Sequence, residues 1–196
     1  MTSQRYIALI RGINVGRAKR VAMADLRKLI GDLGYRDVRS VLNSGNLVFA
    51  ADGVTPNVAA AAIEEQMVLK LGVAARVLVL SHEELATVLA ENTLLPQASD
   101  HARLVVFILG DAGMRPAVAP LCERTWGDEA LAVGQRAAYV WCPDGVLASE
   151  AATALGKQLG DSTTARNWNT LCKLYALCSE PTAATPGRSD KPFDAI

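Results

Sequence analysis

Apolar positions fall along the chain in two rhythms. Tyr6-Ile7-Ala8-Leu9-Ile10 is an unbroken apolar run, which predicts a central strand buried on both faces. Met23, Leu26, Ile30 and Leu33 then recur at helical spacing, and Gly34 stands where a C-cap glycine belongs. Residues 38–42 and 47–50 read as short strands joined by the turn Asn43-Ser44-Gly45-Asn46. Thr55-Pro56 opens a helix, with threonine as cap and proline in the first turn. Ile63, Met67 and Leu71 line its inner face, Gly72 ends it, and residues 76–80 form another strand. The order is β-α-β-β-α-β, the split βαβ of a ferredoxin-like unit.

A similar order follows, less regularly. Ser81-His82-Glu83-Glu84 has the form of a capping box and opens a helix over Leu85, Val88 and Leu89. Residues 104–109 make a second continuous apolar strand. Residues 117–126 carry a helical pattern in which Pro120 must stand at the start or mark a short helix, because proline cannot sit in a helix interior. Residues 130–133 and 138–142 form a hairpin around Gly134-Gln135-Arg136. Residues 149–159 are helical, 163–165 form a last short strand, and Asn167 opens a final helix that buries Leu171, Leu174, Tyr175 and Cys178. The fold class is therefore α+β: a ferredoxin-like βαββαβ N-terminal half over residues 1–80, and a more irregular βαββα(β) half over 81–178 packed on it. Residues 179–196 hold three prolines and no periodicity and read as a tail.

Composition narrows the classes. The chain has 196 residues, 51% of them apolar and 20% charged, enough for a sizeable core and too apolar for disorder. No run reaches the roughly 18 apolar residues of a membrane span. The apolar run before Arg11 is too short for a secretory signal, so a cytoplasmic protein is expected. Cys122, Cys142, Cys172 and Cys178 form no CxxC pair, and His82 and His101 lie far from them in sequence. No metal site and no cofactor is called for, and the thiols are expected reduced.

Net charge is zero but uneven. Residues 1–40 hold nine basic and three acidic side chains, whereas the rest holds eleven basic and seventeen acidic. The basic excess surrounds a glycine-punctuated loop, Arg11-Gly12-Ile13-Asn14-Val15-Gly16-Arg17, continued by Lys19 and Arg20. Glycine lets the backbone turn with its N–H groups exposed, and a helix start follows; together with guanidinium groups these suit phosphate or carboxylate. The loop is neither GxxxxGK[ST] nor GxGxxG, and a turn flanked by solvated charges accounts for the same residues. Ser44, Gly45 and Asn46 form a second polar motif whose residue types a hairpin turn alone also explains. A third is Thr163-Thr164-Ala165-Arg166-Asn167-Trp168-Asn169-Thr170. Asn167 suits a helix cap and Trp168 a core anchor, but Arg166 suits bidentate anion recognition.

The stretches RYIALIRGINVGR, RVAMADLRKLIGDLGYRDVRSVLNSGNLVF and TARNWNT resemble the bacterial "domain of unknown function 1697" family. The resemblance implies an α+β fold with a ferredoxin-like part and no established activity. It places Arg11, Gly12, Asn14, Gly16, Ser44, Gly45, Asn46, Arg166, Asn167, Trp168 and Thr170 at signature positions. The chain departs from the family pattern at Arg17, often glycine, and at Glu150, where a Ser-Lys pair is common.

Three functions stay open. One is a binding module for a small anionic, phosphate- or nucleotide-like ligand, held by Arg11, Gly12, Asn14, Gly16, Arg17, Lys19, Arg20, Ser44, Gly45, Asn46, Arg166, Asn167 and Thr170. Nucleic acid fits less well, because Tyr6–Ile10 lacks alternating exposed aromatics for stacking bases. The second is an enzyme of phosphoryl or acyl transfer in the same pocket, which needs a titratable base near Ser44 or Thr164. The third is a structural or interaction protein whose motifs lock the two halves together. The sequence names no ligand and no oligomeric state.

Overall fold

The computed structural model describes residues 3–14 and 20–180. The expected tail, beyond Glu180, lies outside them. The first half comprises β1 (Gln4–Ile10), α1 (Met23–Asp32), β2 (Arg36–Val41), β3 (Asn46–Ala51), α2 (Pro56–Gln66) and β4 (Val77–Ser81). Then come α3 (His82–Ala90), β5 (Leu104–Leu109), α4 (Arg115–Cys122), β6 (Ala130–Val133), β7 (Ala137–Trp141), α5 (Glu150–Leu159), β8 (Thr163–Asn167) and α6 (Trp168–Ser179). Two four-stranded sheets result, ordered β2-β3-β1-β4 and β6-β7-β5-β8, with every neighbour antiparallel. The second half therefore repeats the strand order of the first, more regularly than its sequence suggests, and β8 is a full strand ending at Asn167.

Both continuous apolar runs are central strands covered on two faces. Tyr6, Ala8 and Ile10 pack with α1 and α2, whereas Ile7 and Leu9 join the core that also holds α3 and α6. In β5, Val105, Phe107 and Leu109 pack with α4 and α5, and Leu104, Val106 and Ile108 face that same shared core. The layers thus run helix, sheet, helix, sheet, helix. With helices over both faces, each central strand loses the apolar–polar alternation of a half-wet antiparallel sheet.

Local signals set the helix limits. Thr55 accepts the Val58 N–H at 3.4 Å, and Pro56 occupies the first turn of α2. Ser81 and Glu84 form both bonds of the capping box: Ser81 Oγ accepts the Glu84 N–H at 3.1 Å, and Glu84 accepts the Ser81 N–H at 2.9 Å. Ser81→Ala is expected to cost about 1 kcal/mol in urea unfolding. The helix around Pro120 is short, as expected, at eight residues, but Pro120 lies inside it and not at its start. The bond it forgoes would run to the Pro116 carbonyl one turn earlier. Pro116 and Pro120 are both exposed, so the carbonyl without a donor lies on a solvent-facing turn.

The four cysteines are free thiols. Burial pushes Cys178 up to about 11 against the nearby Arg5 and Arg39, which pull it down. Its folded pKa exceeds its unfolded one. Its contribution to stability is therefore complete below about pH 9 and lost as pH rises through 11. Urea melts between pH 8 and 11 should show wild type losing stability faster than Cys178→Ala; parallel losses would contradict this.

Candidate functional site

The polar motifs meet where β1 ends. Arg166, on β8 of the second half, reaches into the first half with its Nε and Nη2. Nε donates to Asn46 Oδ1 at 2.5 Å. Nη1 donates to Thr164 Oγ1 at 2.9 Å and Ala165 O at 2.8 Å. Nη2 donates to Ile10 O at 2.8 Å and Ser44 O at 3.4 Å. Those five bonds use all five N–H groups of an arginine. Desolvation lowers the Arg166 pKa to about 10, so it stays cationic at neutral pH.

Asn46 is fully buried, the first residue of β3 and not a turn residue. Its amide donates to Val41 O at 3.2 Å and Ser44 Oγ at 3.0 Å while its oxygen accepts from Arg166. The turn before it holds Leu42 at φ 59° and Gly45 at φ 74°. Gly45 O accepts the Ile10 N–H at 2.8 Å, tying the turn to the end of β1.

Arg11 crosses in the opposite direction. Its Nη1 donates to Gly160 O at 2.6 Å and Thr163 O at 3.0 Å, and its Nη2 lies 3.2 Å from Asp161. At this junction the halves thus exchange arginines, Arg11 in one direction and Arg166 in the other. Asn14, at φ 58°, bonds both the N–H and the carbonyl of Val21, at 2.8 and 2.9 Å, and the Asn43 carbonyl at 2.9 Å. It closes the base of the glycine loop. Gly12 and Arg20 are exposed; Gly16, Arg17 and Lys19 lie outside the described residues.

Asn167 and Thr170 serve α6 instead. Asn167 Oδ1 accepts the Thr170 N–H at 2.9 Å and its hydroxyl at 2.6 Å, the geometry of an N-cap. Trp168 is buried in the shared core. Neither hydroxyl considered as a nucleophile meets a base among the described residues: Ser44 Oγ accepts from Asn46, and Thr164 Oγ1 from Arg166.

A cleft of about 410 Å³ opens beside the Arg11–Asp161 pair, walled by both halves. Glu64, Arg76 and Leu78 come from the first, and Gly110, Asp111 and Asp161 from the second. Three carboxylates against one guanidinium suit an anion poorly. Sequence reading missed Asp161 and Gly160, whose only signal was the polar run before Thr163. It also missed a second clasp at the far end of α6. There Arg5 and Arg39 both pair with Asp37, Arg5 donates to the Glu180 carbonyl, and Arg39 donates to the Leu177 carbonyl and the Glu180 carboxylate. Cations at a helix C-terminus are favourably placed. Among the described residues no group of three or more His, Cys, Asp or Glu side chains could hold a metal ion, and no helix is long and apolar enough to cross a membrane.

The first two thirds of the chain match a known family. The family model described as "Protein of unknown function (DUF1697)" matches residues 3–139, and the chain belongs to that family. The match takes in both N-terminal motifs and stops short of Arg166. Among solved structures, the conserved bacterial protein SP0830 from Streptococcus pneumoniae is similar, with a TM-score of 0.70 and 23% identity over 90% of this chain and 99% of that one. At that identity the likeness speaks to the fold. No curated protein matches.

Proposed function

We propose that the protein is a non-catalytic binding module whose signature arginines are an internal lock and not ligand contacts. The carrying observation is the guanidinium of Arg166, whose five N–H groups all point at protein acceptors. A sixth acceptor, such as a phosphate oxygen, would have to displace one of them. Arg11 supports the same assignment, since its bonds go to two carbonyls and Asp161 across the junction. The lock fixes how the halves meet, and hence the shape of the cleft between them. Thermal-shift titration with phosphate, sulfate and nucleotides tests the assignment: any response of wild type should persist in Arg166→Lys. An anion response lost in that variant would overturn it.

A second reading keeps an anionic ligand at the glycine loop. It is favoured by Asn14, whose side-chain amide bonds both the N–H and the carbonyl of Val21. In the same titration, absence of stabilisation by any anion removes this reading.

A further inference from the structure

The cleft between the halves has a neighbour, and the two hollows make one groove. The neighbour, of about 530 Å³, is walled by Ala61 of α2, by Val68 in the π-helical turn Met67–Leu71 that follows α2, and by Ala74 and Ala75 before β4. Its remaining lining, Glu64, Glu65 and Arg76, is charged. Glu64 and Arg76 also line the cleft of about 410 Å³, so the hollows meet at that pair. Each has the volume of a small-molecule site. A π-helical turn is rare and is found mostly at functional sites. This one buries Met67 and leaves Val68 half-exposed on the apolar hollow.

The charged lining favours a cation. Glu64, Glu65, Asp111 and Asp161 are answered within the lining by Arg76 alone, and Arg11 pairs with Asp161 from outside it. Glu64 Oε1 accepts the Val77 N–H at 2.8 Å, whereas Oε2 meets Arg76 Nη1 only at 3.5 Å. The Arg76 side chain is 71% exposed, so it leaves Glu64 at little cost. Glu64 then keeps its place through the backbone bond. Asp111 accepts the Gly113 N–H at 2.6 Å through Oδ1 and pairs with no cation among the described residues. Val77, Leu78 and Met114 carry the apolar lining on into the cleft.

We propose that this groove binds an organic cation with an apolar body, of the alkylammonium type. The charged head takes the place of Arg76 at Glu64 and is shared with Asp111, and the chain lies along Ala61, Val68 and Ala75. An ammonium brings three donors and no acceptor, which suits a carboxylate lining, and each methylene taken out of water adds affinity. The proposal rests on the reading that Arg11 and Arg166 lock the halves, because the lock sets the width of the cleft.

Thermal-shift and amide NMR titrations of the full chain with n-octylamine at neutral pH test it, with ethylamine and octanoate alongside. Octylammonium should raise the melting temperature and shift the amide signals of Val68, Ala75 and Asp111. Ethylammonium has the same charge on a short chain and should bind roughly tenfold more weakly or worse. Octanoate has the same chain and the opposite charge and should not bind. Asp111→Asn keeps the acceptor for Gly113 and removes the charge, so affinity for octylammonium should fall by about fivefold or more with unchanged melting. Arg76→Ala should raise that affinity, since the head no longer displaces a guanidinium. Equal responses to octylammonium and octanoate overturn the proposal, and so does an octylammonium affinity that neither substitution changes. The lock is judged separately: no octylammonium response, with an anion response that persists in Arg166→Lys, strikes this ligand and leaves the lock standing.

Discussion

Replacing Arg166 with alanine lowers the melting temperature by roughly 6–12 °C, from a loss of about 3 kcal/mol at 2–4 °C per kcal/mol for a chain this long. The cost comes less from five lost bonds than from what they leave behind. Asn46 Oδ1 is fully buried and keeps no donor. The Ile10 and Ser44 carbonyls lose the group that joined them to β8. A buried acceptor without a partner costs about 1–3 kcal/mol by itself. Arg166→Lys recovers only part of the loss, because an ammonium has three donors and no planar fork. Arg11→Ala costs less, since its side chain is 39% exposed and water can replace it. A double-mutant cycle between Arg166 and Asn46 should show coupling of about 0.5–3 kcal/mol. Melting unchanged in Arg166→Ala would refute the lock outright.

The sequence carried the fold well, for reasons visible in particular residues. Helix starts were legible wherever a cap stood in place, at Thr55, Ser81, Ser149 and Asn167, because the cap's own side chain makes the first bond. The two central strands were legible because burial on both faces leaves Tyr6–Ile10 and Leu104–Leu109 without charged residues. Pro120 bounded its helix as a short one of eight residues but stands within it, on a solvent-facing turn where the loss of one donor is least costly. The candidate site was only half legible. Topology alone placed the end of β1 beside the turn before β3. No local pattern says that β8 lies against that point, because the meeting of the two sheets is a tertiary fact. Residue type misled as well: an arginine at a signature position reads as a ligand contact, yet five carbonyl, amide and hydroxyl acceptors satisfy it as fully as a phosphate would. The far clasp of Arg5, Asp37 and Arg39 gave no signal, since its members are spread over two strands and answered by a helix end.

Gly45→Ala is the companion test, because it strikes the lock through the backbone without removing any polar group. Gly45 sits at φ 74°, where an L-residue is strained by about 1–2 kcal/mol. A Cβ there would also stand 2.9 Å from Ile10 Cβ and from Ile13 Cδ1, and 3.1 Å from Ile10 O. Ile10 and Ile13 are both buried in the core of the first half, so neither yields freely, and overpacking adds about 1–3 kcal/mol. The sum, about 2–5 kcal/mol, lowers the melting temperature by roughly 4–20 °C. Gly34→Ala supplies the control: φ is 86°, but nothing lies within 4 Å of its added Cβ, so only the strain of about 1–2 kcal/mol remains. The two substitutions share a backbone cost and differ in contact. If the turn is pressed against β1 as the Ile10–Gly45 bond indicates, Gly45→Ala melts well below Gly34→Ala. Equal melting would mean that the turn moves away from β1 at no cost, and Arg166 would then have no fixed acceptors to lock onto.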